Sequence, residues 1–388
     1  MSIQDIRIAQ SQATEAKKAV EEFHKGVIQP SIELVLFFCS SEYDLDIIAA
    51  EMNRLFAGIQ VVGCTTAGET GPAGYLTHSL TGASFPSSSF TAVSGLLNHL
   101  NQFDITHGHN FAQTLLQQLE SKSPRANENN SFAFMLIDGL SLREELVAHA
   151  LQYALGKIAL FGGSAGDDMK FEKTHVYSNG HFHSDSVVLM LITTSLPFTI
   201  FKTQHFISTD ERLVVTEADS ARRIVKEING LPAAQEYARL VGVDIHELSP
   251  MRFAASPVVV MIDGTDYVRS IQKVNPDGSL TFYCAIEEGV VLRVAYGVGL
   301  VNNLEQTFEK IHEDVGEPKL VIGCDCILRN LEISQSGLKD QVGEIFKSNS
   351  TIGFRSYGEQ FHGVHVNQTL TGIAIGTSPK SATVTDDV

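Results

Sequence analysis

The segment Gly162-Gly163-Ser164-Ala165-Gly166 fits G-x-S-x-G, the turn that presents the nucleophilic serine of serine hydrolases. That chemistry needs a helix directly after the serine, with its N-terminus facing the oxyanion. Here Asp167-Asp168-Met169-Lys170 leads instead to an extended stretch at His175–Tyr177. Two carboxylates beside the serine also oppose a developing negative charge, so a glycine turn at a strand end is the better reading. Cys64 lies in a similar turn, but its neighbours include no general base, and a free cysteine is commonly a small core residue. Neither residue predicts an enzyme. Cys324 and Cys326 flank Asp325 at strand spacing, which puts both thiols on one face. A structural zinc site wants a second such pair, and Cys284 alone does not supply it.

The histidines divide into two groups. Asn179-Gly180 predicts a two-residue hairpin that sets His181 opposite Ser178 and His183 opposite Val176, an exposed pair, with His175 on the other face. His107 and His109 flank Gly108 ahead of a helix expected from Phe111, and read as loop residues in solvent. His78, His175 and His365 each follow a glycine-acid turn and precede an apolar strand, where a neutral imidazole is competent to bind a ligand. His365 is the best placed, because His362 is near and Asn367-Gln368-Thr369 can orient it by hydrogen bonds. The alternative is a satisfied histidine at a domain seam. Arg329, Arg355, Tyr357, Glu359 and Asn367 crowd one region of a chain poor in cations. Arginine among glycines suits a carboxylate or propionate, which its planar fork binds through two parallel bonds. A buried Arg–Glu pair is the alternative.

These residues hang on a repeated order of elements: strand, helix, strand, glycine-acid turn, strand. It runs first through Glu33–Phe38, a helix from Asp44 to Phe56, Ile59–Val62, the turn Gly63–Glu69, and Leu80–Phe85, with Phe90–Leu97 expected to close a hairpin. It runs again through Phe132–Asp138, Arg143–Leu155, Gly162–Asp167 and Val187–Ile192. The third copy is Lys319–Gly323, Leu338–Phe346, Gly353–Glu359 and Thr369–Ile375. Leu80-Thr81-Gly82-Ala83 matches Leu370-Thr371-Gly372-Ile373, and together these echoes indicate a duplicated unit. Ser11–Lys25 has helical spacing. Between the second and third copies, short strands such as Leu213–Thr216 and a helix at Pro232–Leu240 precede strands separated by Asp263-Gly264 and Pro276-Asp277-Gly278 turns. A helix at Leu300–Asp314 leads back into the third copy. The expected class is α/β (α+β): mixed sheets flanked by helices, with an antiparallel meander in a second domain. The expected divisions are an N-terminal helix in 1–30, domains at 31–208 and 209–377, and a frayed tail at 378–388.

Composition narrows the function classes. The 388 residues suggest two domains or three, and 43% hydrophobic content can build a core. With 28 Lys and Arg against 45 Asp and Glu, the net charge of −17 repels phosphate backbones and anionic membranes. Nucleic-acid and membrane partners are therefore not expected. Five scattered cysteines make no disulfide framework. Met1–Lys25 lacks a signal-peptide pattern, and the longest apolar stretch, Val187–Ile192, is far short of a membrane span. A cytoplasmic protein is expected, and self-association is left open.

Val62-Gly63-Cys64-Thr65-Thr66-Ala67-Gly68-Glu69 and Phe161-Gly162-Gly163-Ser164-Ala165-Gly166-Asp167-Asp168 resemble the N-terminal FIST domain. Gly323-Cys324-Asp325-Cys326-Ile327-Leu328-Arg329, Tyr357-Gly358-Glu359-Gln360 and His365-Val366-Asn367-Gln368-Thr369 resemble its C-terminal partner. The resemblance spans Glu33 to Gly376 and implies a sensory input module. A chain with both halves and no output domain is similar to NosP-type nitric-oxide sensors, which bind haem and regulate a histidine kinase or a cyclic-di-GMP enzyme. The resemblance thus implies haem b, since no C-x-x-C-H is present for covalent attachment. His365, then His175, is the axial ligand this implies, with Arg355 and Tyr357 beside the cofactor. Nitric oxide on the iron would weaken the bond to the opposite histidine and relax its loop. Other FIST proteins are proposed to sense small metabolites such as amino acids. That alternative assigns the ligand to Arg329, Arg355, Glu359 and Asn367.

Overall fold

The computed structural model describes residues 5–262 and 264–377. The expected tail from Ser378 and Asp263 of the expected turn lie outside the described residues. Three copies of one unit make up most of the chain. Unit 1 contains β1 (Arg7–Ser11), α1 (Ala16–Val27), β2 (Ile32–Ser40), α2 (Leu45–Leu55), β3 (Gln60–Thr66), β4 (Glu69–Gly71), β5 (Gly74–Leu76) and β6 (Leu80–Pro86). Unit 2 repeats the order with β7 (Phe90–Asn98), α3 (Ile105–Lys122), β8 (Ser131–Ile137), α4 (Glu144–Leu155), β9 (Ala159–Ser164), β10 (Val176–Ser178), β11 (His181–His183) and β12 (Ser186–Thr194). Unit 3 opens with β13 (Phe198–Thr203) and is then interrupted by an insert. The insert comprises β14 (Phe206–Asp219), β15 (Ile224–Ile228), β16 (Leu231–Pro232), α5 (Ala233–Val241), α6 (Pro250–Ala255), β17 (Val258–Ile262), β18 (Thr265–Arg269), β19 (Ile271–Val274), β20 (Leu280–Phe282) and β21 (Val291–Gly297). Unit 3 resumes with α7 (Leu300–Val315), β22 (Pro318–Cys326), α8 (Ile327–Gln335), α9 (Lys339–Ser348), β23 (Thr351–Ser356), β24 (Glu359–Phe361), β25 (Val364–Val366) and β26 (Leu370–Gly376).

Local chemistry explains the elements. Asp44 caps α2 by accepting from Asp46 N and Ile47 N at 3.1 Å each. Asn179 and Gly180 both take positive φ, the requirement of a tight hairpin turn, and the expected register of His181 and His183 is observed. In β2, Leu34, Leu36 and Phe38 face the interior shared by the three sheets, whereas Val35, Phe37 and Cys39 face α1 and α2. In β8, Phe132, Phe134 and Leu136 face that same interior, and Ala133, Met135 and Ile137 face α3 and α4. A strand buried on both faces reads as a continuous apolar run, as these do. Phe134 stacks on Phe161 at 4.5 Å and Phe38 meets Phe354 across units at 4.6 Å. Each such ring contributes about 1.5–3 kcal/mol of burial.

Every unit has one pairing scheme. β2 is parallel to β3 and antiparallel to β6, as β8 is to β9 and β12, and β22 to β23 and β26. Each unit then gives its small hairpin to a neighbour's sheet. β10–β11 adds to β3, β24–β25 to β9, and β4–β5 to β23, which closes a cyclic exchange of the three units. The result is three six-stranded mixed sheets around one core, together with an eight-stranded antiparallel sheet in the insert. The mixed α/β class is as expected. Among the described residues no helix is long and apolar enough to cross a membrane.

Four expectations change. β6 and β7 are not a hairpin: β6 already has β1 and β2 on its two edges, so the chain crosses to the facing sheet, where β7 pairs with β12. His107 and His109 lie within α3, because Asp104 caps it by accepting from His107 N, which starts the helix earlier. The short strand expected at Leu213–Thr216 is part of the long β14, whose register shifts between Ser208 and Arg212. The fourth concerns the acid of unit 2, described below.

Candidate functional site

The glycine-acid turns meet where the three units join. Ala67 N donates to Arg355 O, Gly166 N to Thr65 O, and Tyr357 N to Ser164 O, so each turn is bonded to the next unit. Within two of the turns the acid is turned inward. Glu69 accepts from the Thr66 hydroxyl and from Ser79 N and Oγ at 3.1 and 2.7 Å. Glu359 accepts from the Ser356 hydroxyl and from Thr369 N and Oγ1 at 3.3 and 2.6 Å. Burial pushes the Glu69 carboxyl up to about 7 and the Glu359 carboxyl up to about 8, against the pull of those donors. In unit 2, β10 places Val176 opposite Cys64, where Glu69 stands opposite Phe354 and Glu359 opposite Gly163. Asp167 is therefore not the equivalent acid. It belongs to an insertion after Gly166, where it accepts from Phe171 N, Glu172 N and Lys173 N. The lone Gly166-Asp167 dipeptide mimicked the motif without its position.

His78, His175 and His365 are likewise not equivalent. His78 has positive φ and pairs with Glu42 at 2.9 Å near the surface. His175 is half-buried at the junction of units 1 and 2, where its carbonyl accepts from Thr65 N. His365 lies in β25 opposite Gln360 and is 1% exposed. Its Nδ1 meets the Gln360 side-chain amide at 3.2 Å, and that amide also donates to Ser164 Oγ at 2.9 Å. Burial holds His365 down to about 4, so the ring is neutral, and Nε2 has no hydrogen-bond partner among the described residues. Gly358, at φ +136°, lies flush against this ring: a Cβ there would sit 2.3 Å from His365 Cε1 and 2.9 Å from Asn367 Nδ2.

The arginines are also placed. Arg355 crosses to unit 1, donates to Leu76 O at 2.6 Å, and packs its guanidinium on Gly68, where a Cβ would come within 2.4 Å of Cζ. Asp325 accepts from Tyr75 OH at 2.6 Å and has Arg329 Nε at 3.1 Å, close in distance but without the alignment of a hydrogen bond. Burial raises the Asp325 pKa, while Arg329 and, more weakly, Arg355 oppose that rise. Among the described residues nothing accepts a hydrogen bond from Arg329 Nε, although the residue is 2% exposed. Arg329, Arg355 and Asp325 thus form one buried cluster, and Glu359 contributes to its field. Asn367 lies apart, accepting from Ser270 N of the insert at 3.4 Å. Tyr357 OH donates to Asp167 and receives Met169 N at 2.8 Å.

A haem would need a histidine open to a flat apolar slot, with cations beside it. As folded, the residues expected to hold it do not fit that need. The His365 ring is closed in by Gly358 and Gln360, Arg355 is spent on unit 1 carbonyls, Tyr357 on Asp167, and His175 stands at another junction. Ser164 and Cys64 are fully buried, and burial pushes the Cys64 thiol well up. The sequence reading missed a further cluster. Arg223 of the insert donates to Glu144 and Glu145 of α4 at 2.5 and 2.6 Å, and to Tyr283 O at 2.6 Å. Glu145 also accepts from Ala285 N. Glu144, the more deeply buried acid, is pushed up to about 7 by desolvation. Glu145 is desolvated too, but its pKa lies below the ordinary range, because His365 when protonated and Arg223 at any pH favour the carboxylate.

No curated protein matches the chain. Two solved structures, a cyanuric acid hydrolase and the cyanuric acid hydrolase from A. caulinodans, are similar over 96% of this chain and 99% of theirs. Their identity is 9% and their TM-scores are 0.34 and 0.35, values at which the likeness carries no argument. Family matches are more informative. Residues 33–231 match the FIST N domain and residues 233–362 the FIST C domain. The two matches cover most of the chain, with both glycine-acid turns and the Arg329 cluster inside them, and the chain belongs to the FIST family of sensory domains.

Proposed function

We propose that this protein is a haem-free sensor in which Arg329 takes the carboxylate of a small metabolite such as an amino acid, with Arg355 adding its charge and Asp325 opposite the ammonium. One observation carries the reading: Arg329 is buried beside Asp325, yet its Nε has no aligned hydrogen-bond acceptor among the described residues. A buried guanidinium nitrogen without an aligned acceptor is costly, and a carboxylate ligand would supply one. Of the other members of the expected set, Glu359 adds to the field at Asp325 and Asn367 lies apart beside Ser270, so neither grips the ligand. The occupied state is read by a signalling partner, a histidine kinase or a cyclic-di-GMP enzyme.

A thermal-shift screen of amino acids and small carboxylic acids tests this. Ligand at a hundred times its Kd adds about 2.7 kcal/mol of stability. The expected result is a shift in the wild type that Arg329→Gln abolishes. No shift from any compound, or an equal shift in the variant, ends the proposal. A second reading, haem b sensing nitric oxide, is favoured by the buried neutral His365 with its unpartnered Nε2. It requires the β24–β25 hairpin to open. A Soret band on haem-supplied protein that His365→Ala removes would favour it, and absence of that band would leave the metabolite reading alone.

A further inference from the structure

Beyond the Arg329 cluster, the seam between the insert and unit 3 collects polar groups that the chain leaves unsatisfied. Ser270 is fully buried and its Oγ has no partner among the described residues. Arg269, the residue before it, stands beside the Cys284 thiol, and its buried Nη1 has no partner among the described residues. Across the seam stands His365 Nε2, also unpartnered. With the Gln360 amide donating to Nδ1, the ring proton resides on Nε2, which makes that atom a donor. Asn367 Nδ2 converges with it over Gly358, and its own bond, to Val366 O, is long at 3.2 Å. The two sides are joined here by the weak Ser270 N to Asn367 Oδ1 contact of 3.4 Å. β18, which ends at Arg269, packs against β25, which carries His365, so the groups share one neighbourhood. The carboxylate of that neighbourhood, Glu145, is already engaged by Arg223 and Ala285 N.

Buried donors without acceptors are rare in folded proteins, because each forfeits its hydration. A cluster of them on two facing elements points to an acceptor that is not part of the chain. We propose that the seam between Arg269–Ser270 and His365–Asn367 is a second ligand site, taking a compact oxyanion of carboxylate size on Arg269 Nη1, Ser270 Oγ and His365 Nε2. Such an ion bridges the insert to unit 3, so its occupancy sets how firmly the insert is seated. The site is separate from the Arg329 cluster and does not depend on the reading above.

Formate is the probe, with chloride at equal ionic strength as the control, on the full chain. The expected result is a formate-specific, saturable rise in melting temperature, with slower proteolysis within the insert. Ser270→Ala should weaken apparent formate affinity about tenfold, the worth of one hydrogen bond. Arg269→Gln should abolish the effect, and Arg329→Gln should leave it intact. If Arg269→Gln does not fold, Ser270→Ala decides alone. No difference between formate and chloride means that buried waters satisfy the seam, and this overturns the proposal. An effect that survives Ser270→Ala and Arg269→Gln, or that disappears in Arg329→Gln, overturns it as well.

Discussion

Glu69 and Glu359 are mates under the internal repeat: each follows a glycine of positive φ, and each is clamped by a hydroxyl three residues before it and another ten residues after it. These acids therefore tie the turns shut rather than line an open pocket. Their folded-state pKa values, about 7 and about 8, stand above the ordinary 4.5. The native state thus binds protons more tightly than the unfolded chain. The resulting stabilisation is full below about pH 4.5 and is lost as pH rises through 7 and then 8. For each acid it is of the order of a few kcal/mol. Urea midpoints should fall from pH 5.5 to pH 9, and Glu359→Gln, which imitates the protonated acid, should flatten that fall. A slope unchanged in Glu359→Gln would show that the carboxyl is ionised in the fold.

Gly358→Ala tests the closure around His365. The backbone there has φ +136°, and the added Cβ meets the imidazole at 2.3 Å. Strain of about 1–3 kcal/mol from the backbone adds to the clash. Gly230→Ala, also at positive φ but with nothing within 4 Å, is the control and should lose only about 1 kcal/mol. Equal losses in the two variants would mean that the ring does not pack on Gly358.

How much of this was legible in the residue order depends on how local the determinant is. The repeat was legible because Leu80-Thr81-Gly82 and Leu370-Thr371-Gly372 open the same strand, β6 and β26, and must meet the same neighbours. The Asn179-Gly180 hairpin was legible because its turn chemistry is contained in two residues. The exchange of hairpins was not, since Glu359 pairs with Gly163 across a unit boundary and no spacing encodes which sheet edge is free. Arg329 and Arg355 were picked out by type and do meet around Asp325. Asn367 was grouped with them by proximity in sequence, but its partner is in the insert. Arg223 had no local signal, because its acidic partners lie far back in α4.

The thiols give a direct probe of the core. All five cysteines are buried and unpaired, and burial raises the pKa of each. Thiolate is the reactive form, so a disulfide reagent at neutral pH should label none of them in the native protein and all five in denaturant. Rapid native labelling of Cys64, which lies in β3 and not in the turn the sequence suggested, would instead support a reactive cysteine.

Arg223 is the strongest tie between the insert and α4, since one guanidinium satisfies Glu144, Glu145 and the Tyr283 carbonyl. Removing it leaves two carboxylates beside each other in a dry seam. Breaking a buried ion pair by deleting one partner costs about 3–5 kcal/mol. Arg223→Met should therefore destabilise by that order and expose 206–297 to proteolysis before the rest of the chain. Adding Glu144→Gln should recover part of the loss, because Glu144, pushed up to about 7, is the acid closer to neutrality already. Hydrogen exchange supplies the deciding comparison: faster exchange confined to the insert and the start of α4 identifies the pair as the hinge latch, whereas uniform acceleration through all three units means that insert and core unfold as one.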